Sequence, residues 1–291
     1  MIRNRENEEN QKQGNDSTQY FHQENLDSGS GQNGRIKEDQ VLVSVVMPAY
    51  RCADTIEKAI ESVLVQKVPL EVLVLNDRSP DHLDEVMERY KQVPQVRYFK
   101  NEKNLGAAAT RNRGVRLAKG SYIAFLDADD WWAPDKLKKQ LAKMKQEKAV
   151  LCSTGRELVT SDGKLTGRVI GVRENITYHN LLLHNCINCS SVLLKKEVAL
   201  EFPMQHEDSH EDYITWLGIL KKYGRASGID EPLLKYRLTA SGKSGGKLKS
   251  AGMTFKAYRY AGFGPLASCF WFCAYAVNGV MKYAGAYLHK K

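Results

Sequence analysis

Three carboxylates crowd one tetrapeptide, Asp127-Ala-Asp129-Asp130. Like charges at that spacing need a cation, or some of the carboxyls must stay protonated. Oxygen-only ligands select a hard ion such as Mg2+ or Mn2+. With one carboxylate on the ion and another on a ribose hydroxyl, the segment has the means to hold a nucleotide diphosphate. A second acidic cluster, His206-Glu-Asp-Ser-His210-Glu-Asp212, leads into a helical pattern. Acids in a first helical turn are favoured by the helix dipole, so capping alone accounts for many such clusters. A carboxylate there that faces the metal site would instead take a proton from an attacking hydroxyl as general base. Asn104-Leu-Gly106 opens a helical segment with Arg111 one or two turns in, offering N–H groups and a guanidinium to an anion or a base. Read alone, a glycine turn with a solvated arginine is the simpler account. No GxxxxGK[ST] or GxGxxG pattern is present, which counts against a P-loop enzyme, a kinase or a dinucleotide enzyme.

These groups work together only if the chain brings them to one place. Val41-Leu-Val-Ser-Val-Val-Met47 is a continuous apolar, β-branched run and reads as a buried strand. Asp54 and Glu57 have the spacing of a capping box, and Ile56, Ala59, Ile60, Val63 and Leu64 share the helix face that follows. Strands are predicted at Leu70–Leu75, Val96–Phe99 and Ser121–Leu126, with helices near Asp81–Tyr90 and Ala107–Ala118 between them. Such alternation argues for a parallel sheet covered on both faces. Ligands of such sheets bind beyond the carboxyl ends of the strands. Those ends are Pro48-Ala-Tyr50, Asn76-Asp-Arg-Ser79 and Asp127-Ala-Asp-Asp130, which is where the polar residues fall. The second half is less regular: a hairpin over Gly155–Gly171, a strand over Asn188–Leu194, a helix over Glu211–Tyr223 and a strand pair over Ile229–Arg237.

A length of 291 residues and a hydrophobic share of 42% suit a globular protein with a real core. Residues 3–40 hold only Tyr20, Phe21, Leu26 and Ile36 as large apolar side chains, so a disordered tail is expected over 1–40. The polar start, Met1 to Asn10, has no apolar run for a signal sequence, and the six cysteines are expected to be reduced thiols. Cys186-Ile-Asn-Cys189 has the spacing of half a zinc site but no second pair to complete it. The net charge of +9 is uneven: no Asp or Glu follows Glu231, while ten Lys and Arg do. That end points toward phosphates or an anionic membrane surface rather than nucleic acid, since its charges and aromatics sit in separate blocks. Tyr260 to Met281 is uncharged and crowded with aromatics, but Gly262, Gly264, Pro265, Asn278 and Gly279 interrupt it. A helix lying in the membrane interface fits this better than one crossing it, and packing on the enzyme or an oligomer contact is the alternative.

The order of motifs resembles the family 2 glycosyltransferases of the GT-A fold. The residues are Val45-Val-Met-Pro-Ala-Tyr50, Val74-Leu-Asn-Asp-Arg-Ser79, Asn104-Leu-Gly-Ala-Ala-Ala-Thr-Arg-Asn-Arg-Gly114, Phe125-Leu-Asp-Ala-Asp-Asp130 and His210-Glu-Asp212. The likeness runs from about Val41 to Arg237, and the basic aromatic end is similar to bacterial enzymes of teichuronic-acid and capsule assembly. It implies an α/β GT-A domain with a mainly parallel sheet over 41–240, nucleotide half 41–130 and acceptor half 131–240. A basic loop and an interfacial helix would follow over 241–291. Carried over by position, Pro48, Ala49 and Tyr50 bound the nucleotide, the last two along a uracil, while Asp77 and Arg111 read the base. Asp127 sits near the ribose, Asp129 binds Mn2+ or Mg2+ on the diphosphate, Asp130 assists, and Asp212 is the catalytic base. The implied reaction is an inverting transfer of one sugar from a UDP-sugar to a lipid-linked or polysaccharide acceptor, at the cytoplasmic face of the plasma membrane. The QxxRW motif of processive members is absent, so one sugar is added and released. The glycines of Ser241-Gly-Lys-Ser-Gly-Gly-Lys247 are expected to let that loop close over the phosphates. Two other readings compete. A sugar-phosphate nucleotidyltransferase would want a Gly-rich signature with a lysine after the first strand, where Pro48-Ala-Tyr50-Arg51 stands. A non-catalytic membrane-surface adaptor on a transferase-like fold would be indifferent to changes at Asp129 and Asp212.

Overall fold

The computed structural model describes residues 41–238 and 247–288. The expected tail over 1–40 and loop residues 241–246 lie outside them. The chain runs β1 (Val43–Ala49), α1 (Ile56–Leu64), β2 (Leu70–Asn76), α2 (Leu83–Glu88), β3 (Val96–Lys100), α3 (Ala107–Leu117) and β4 (Tyr122–Phe125). Then come β5 (Trp131–Trp132), α4 (Lys136–Glu147), β6 (Leu151–Val159), β7 (Leu165–Ile170), β8 (Asn175–Thr177) and α5 (Tyr178–Leu183). β9 (Leu193–Lys195), α6 (Lys196–Glu201), α7 (Glu211–Tyr223), β10 (Arg225–Arg237), α8 (Lys247–Tyr260) and α9 (Pro265–Leu288) complete it.

One sheet carries the fold, in the order β3-β2-β1-β4-β9-β6-β10-β5, with β7 on β6 and β8 on β10. β3, β2, β1 and β4 are parallel. β9 then runs antiparallel to both β4 and β6, whereas β6 and β10 are parallel. The sheet is thus parallel through its first half and mixed beyond it. From β1 the chain winds outward through β2 and β3 and returns to β4 on the other side. That reversal opens a crevice between the carboxyl ends of β1 and β4.

The pleat explains why β1 and β2 read as continuous apolar runs. Val43, Val45, Met47, Val72 and Val74 face a core built with α1, α2 and α4. Val46, Leu73 and Leu75 face the opposite core, built with α3, α5, α6 and α7. A strand buried on both faces has no polar side to alternate. On the second face α3 lies so close to β1 that a Cβ at Gly114 would stand 2.4 Å from Val46 Cγ1, so only glycine fits there. At the amino ends of the strands Glu71 is buried and accepts from Ser44 Oγ (2.6 Å), Lys119 N (2.6 Å) and Arg97 Nη1 (2.7 Å). A buried charge is tolerated when it is matched in this way.

Some local expectations are corrected. The capping box at Asp54 is not formed: α1 starts at Ile56 after Thr55, and no side chain caps it. The α2 segment has only six helical residues, with turns on either side of it. Asn188–Leu194 is a 3₁₀ turn, Cys189–Ser191, followed by the short β9, because Asn188 Oδ1 accepts from Ser190 N at 3.0 Å and bends the chain. Ile229–Arg237 is not a strand pair but one strand, β10, whose register on β6 slips between Ile229 and Leu234. The Gly155–Gly171 excursion is the β6–β7 hairpin.

At the far end α9 packs one face on the enzyme. Its Trp271 meets His179 edge-on at 5.4 Å, and Phe272 meets Phe255 of α8 at 6.1 Å. Leu266, Phe270 and Val277 fall on its other face and are 87%, 65% and 57% exposed. No helix among the described residues is long and apolar enough to cross a membrane.

Candidate active site

The carboxyl ends of β1, β2 and β4 form one wall of a cleft of about 960 Å³. Pro48, Ala49, Tyr50, Asp77, Arg111, Asp127, Asp129 and Asp212 all line it, so eight of the nine residues singled out in the sequence meet in one place. Asp130 does not reach the surface: it is buried behind the wall, 1% exposed. The acidic tetrapeptide alternates, with Ala128 and Asp130 buried while Asp127 and Asp129 are part-exposed toward the cleft. That alternation is why two carboxylates two positions apart can serve one ligand. Asp130 Oδ1 accepts from Arg237 N at 2.9 Å, fastening the end of β10, while its Oδ2 is buried with no hydrogen-bond partner.

Electrostatics follow from this crowding. Burial, reinforced by the Asp127 charge, pushes the Asp129 carboxyl up to about 6. Burial and the neighbouring Asp129 and Asp127 hold Asp130 well above the usual carboxylate range. Two thiols near the site are kept neutral: burial pushes Cys52 up to about 12 and raises Cys189 well above its ordinary value. Neither is a ready nucleophile.

Arg111 stands between the two halves. Its guanidinium is buried and donates from Nη2 to Asp127 Oδ1 (2.6 Å) and from Nη1 to Glu211 Oε1 (2.9 Å). Burial works against its charge, but the surrounding acids, Asp127 and Glu211 among them, outweigh it and raise its pKa. The sequence assigned Arg111 to the base and gave Glu211 no part. In the structure Glu211 takes the arginine and Asp212, in the first turn of α7, is left facing the cleft. Burial, then the Glu211 charge, raise the Asp212 carboxyl to about 6, although Arg111 opposes the rise.

Asp77 shapes the next loop. It is buried and accepts from Asn101 Nδ2 (2.7 Å), Leu105 N (2.8 Å) and Gly106 N (2.9 Å). Gly106 has φ +83°, and a Cβ there would lie 2.8 Å from Glu207 Cδ. The helix start that the sequence offered to an external anion is taken. Glu207 accepts from Ala107 N at 3.2 Å and Ala108 N at 2.8 Å, closing the amino end of α3. Nothing in the spacing of residues a hundred apart in sequence announced this.

β6, β10, α9 and the end of α5 make another wall, and sequence reasoning did not find it. Arg156, Tyr236, Arg237, His184 and Tyr275 line it. Arg237 Nε donates to Asp129 O at 2.9 Å, and its guanidinium lies 5.5 Å from the Trp131 ring centroid. Burial lowers the Arg156 pKa. Among the described residues no group of three or more His, Cys, Asp and Glu side chains is placed to hold a metal by itself.

A sheet that is parallel through its first half, with a crevice at the reversal and Asp127, Asp129 and Asp212 on one cleft, has the architecture of the GT-A fold. The chain belongs to glycosyl transferase family 2, whose pattern matches residues 44–194, and it is a glycosyltransferase. It is 35% identical over 244 residues to TuaG of Bacillus subtilis strain 168, named for teichuronic acid biosynthesis, covering 83% of this chain and 97% of TuaG. It is 32% identical over 251 residues to WfaP of Escherichia coli, named a UDP-Glc:α-D-GlcNAc-diphosphoundecaprenol β-1,3-glucosyltransferase, covering 86% of this chain and 98% of WfaP. The fold matches crystal structures of S. aureus TarS residues 1–349. The UDP-GlcNAc complex has a TM-score of 0.62 at 16% identity, over 81% of this chain and 72% of that one. The family excludes the nucleotidyltransferase reading.

The buried bridge yields a prediction. Arg111→Met should lower unfolding stability by about 3 kcal/mol, because two acids lose their cation. Urea unfolding checks this, and a loss below about 1 kcal/mol, the scale of a surface pair, would contradict it.

Proposed function

We propose that the enzyme is an inverting, non-processive transferase that moves one sugar from a UDP-sugar to a hydroxyl of a lipid-linked saccharide. The observation that carries this reading is that Asp127, Asp129 and Asp212, from the end of β4 and the start of α7, line one cleft. Pro48, Ala49, Tyr50 and Asp77 hold the nucleotide at the β1 and β2 ends. Arg111 acts on it through Asp127, and Asp130 supports the wall from behind. TarS, which shares the fold, has been crystallised with UDP and UDP-GlcNAc. WfaP is named for transfer from UDP-Glc to a diphosphate-linked lipid acceptor with a β product. Since UDP-glucose carries its sugar in the α configuration, a β product needs one inversion at the anomeric carbon.

Asp212 takes the proton of the acceptor hydroxyl. The oxygen forms its bond to the anomeric carbon while the bond from that carbon to the diphosphate oxygen breaks, and the electron pair leaves with UDP. Such a proton transfer is worth roughly 10²–10⁴-fold in rate. Magnesium and manganese need only one or two protein carboxylates when substrate phosphates complete the shell. Asp129, raised by burial beside Asp127, fits that kind of shared site and not a protein-only cage. Bound there, a divalent cation would supply charge stabilisation to the leaving diphosphate.

The acceptor's lipid places the enzyme at a membrane surface, on the cytoplasmic side. The exposed stripe Leu266, Phe270 and Val277 on α9 and the acid-free basic end support this, since apolar insertion and anionic lipids act together.

Two results are expected. Below about pH 6 a protonated Asp212 cannot accept a proton, so kcat/KM should rise with pH through about 6 and then level off. Asp129 is raised to about the same value, so Asp212→Asn should shrink that limb and lower kcat by at least roughly 100-fold with UDP affinity unchanged. A variant retaining wild-type kcat would remove Asp212 from the base role. For the membrane, the combined Leu266→Asp, Phe270→Asp and Val277→Asp variant should cease to sediment with anionic vesicles while still binding UDP. Undiminished sedimentation would rule out the α9 stripe as the contact.

A further inference from the structure

Of the two guanidiniums on the β6–β10 wall, Arg237 is engaged, with Nε on Asp129 O (2.9 Å) and Nη1 on Ser161 O (2.8 Å). Arg156 is not. Its side chain lines the cleft, its Nε is buried without a hydrogen-bond partner, and among the described residues no carboxylate lies within ion-pair distance of it. The Tyr236 ring stands beside it, 5.7 Å from centroid to Cζ, and Cys186 and Tyr275 also act on its charge. Asp130 acts on its charge from farther off, with its own Oδ1 held by Arg237 N. A largely desolvated guanidinium is costly unless something pairs with it, and its planar fork suits the oxygens of a phosphate.

Its position says which phosphate. β6 is separated from β4, where Asp127 and Asp129 begin the nucleotide wall, by β9. Tyr275 of α9, also on the cleft, lies in the field of both Arg156 and Asp212. Arg156 thus reaches the acceptor base through Tyr275, and the donor carboxylates through Tyr236, and what favours the acceptor is α9. Helix α9 connects the same place to an exposed apolar stripe at Leu266, Phe270 and Val277. An amphiphile whose sugar hydroxyl meets Asp212, whose phosphate meets Arg156 and whose hydrocarbon follows α9 would satisfy all three features.

Building on the transferase reading above, we propose that Arg156 binds a phosphate oxygen of the acceptor and so selects sugars carried on a lipid phosphate or diphosphate over neutral ones. The probes are octyl diphosphate and neutral octyl glucoside, titrated into the full chain with and without saturating UDP and Mn2+. Wild-type protein should bind octyl diphosphate more tightly than octyl glucoside. Arg156→Gln should weaken octyl diphosphate roughly 10- to 100-fold, as expected for one charge-assisted contact, leaving UDP and octyl glucoside unchanged. Arg156→Lys should fall between, since a point charge replaces a fork. Equal octyl diphosphate affinity in wild type and Arg156→Gln would overturn the proposal, as would a wild-type protein blind to octyl diphosphate. A parallel fall in UDP affinity would assign Arg156 to the donor diphosphate instead. Wild-type protein that fails to bind UDP contradicts the donor reading, while the comparison of octyl diphosphate between wild type and Arg156→Gln still decides the role of Arg156.

Discussion

The buried guanidinium of Arg111 is the interaction on which the site depends. It comes from α3, and the acids it joins come from the end of β4 and from the start of α7, at positions 127 and 211. Three distant pieces of chain are thereby fixed around one cleft. The bridge also sorts the acids by role. Carboxylates this close repel one another, and only those given a cation or a proton can stay in place. Arg111 satisfies Asp127 and Glu211; Asp130 is raised behind the wall, and the two acids on the cleft that burial first, and neighbouring charge second, raise to about 6 are Asp129 and Asp212. Those two are the groups that a cation and an acceptor proton would relieve.

Around the bridge, the remaining polar groups chiefly hold backbone. Asp77 gathers the loop before α3, Glu207 closes the amino end of that helix, and Asp130 fastens β10. A wall built this way is preorganised, since its donors and acceptors are fixed before any ligand arrives. The part of the lining around Arg156 and α9 differs. Arg156 has no such partner, and Tyr275 is supplied by a helix whose other face is apolar and exposed.

Much of the first half was legible from residue types. β1 and β2 are long apolar runs buried on both faces, and their polar carboxyl ends mark the crevice that any doubly covered parallel sheet offers. The meeting of Asp127, Asp129 and Asp212 followed from motif order. The second half was harder because β5, β8 and β9 are two or three residues long, too short for any periodicity. The irregularity in β10 likewise leaves no local mark. Side-chain partnerships were the least visible. Glu211 and Asp212 are neighbours with the same chemistry, and only the helical turn decides that one meets Arg111 and the other the cleft. Glu207 looked like a capping acid of its own segment and instead serves α3, a hundred residues earlier. Arg156 sits in a strand with no motif around it.

We propose that this cleft holds a nucleoside diphosphate through a divalent cation. Calorimetric titration with UDP, GDP, dTDP and CMP, each with and without Mn2+, tests it most directly. Mn2+-dependent binding of UDP, lost in Asp129→Asn, is the predicted result. Failure of every nucleotide to bind, or UDP binding that is indifferent to both Mn2+ and Asp129→Asn, would contradict it.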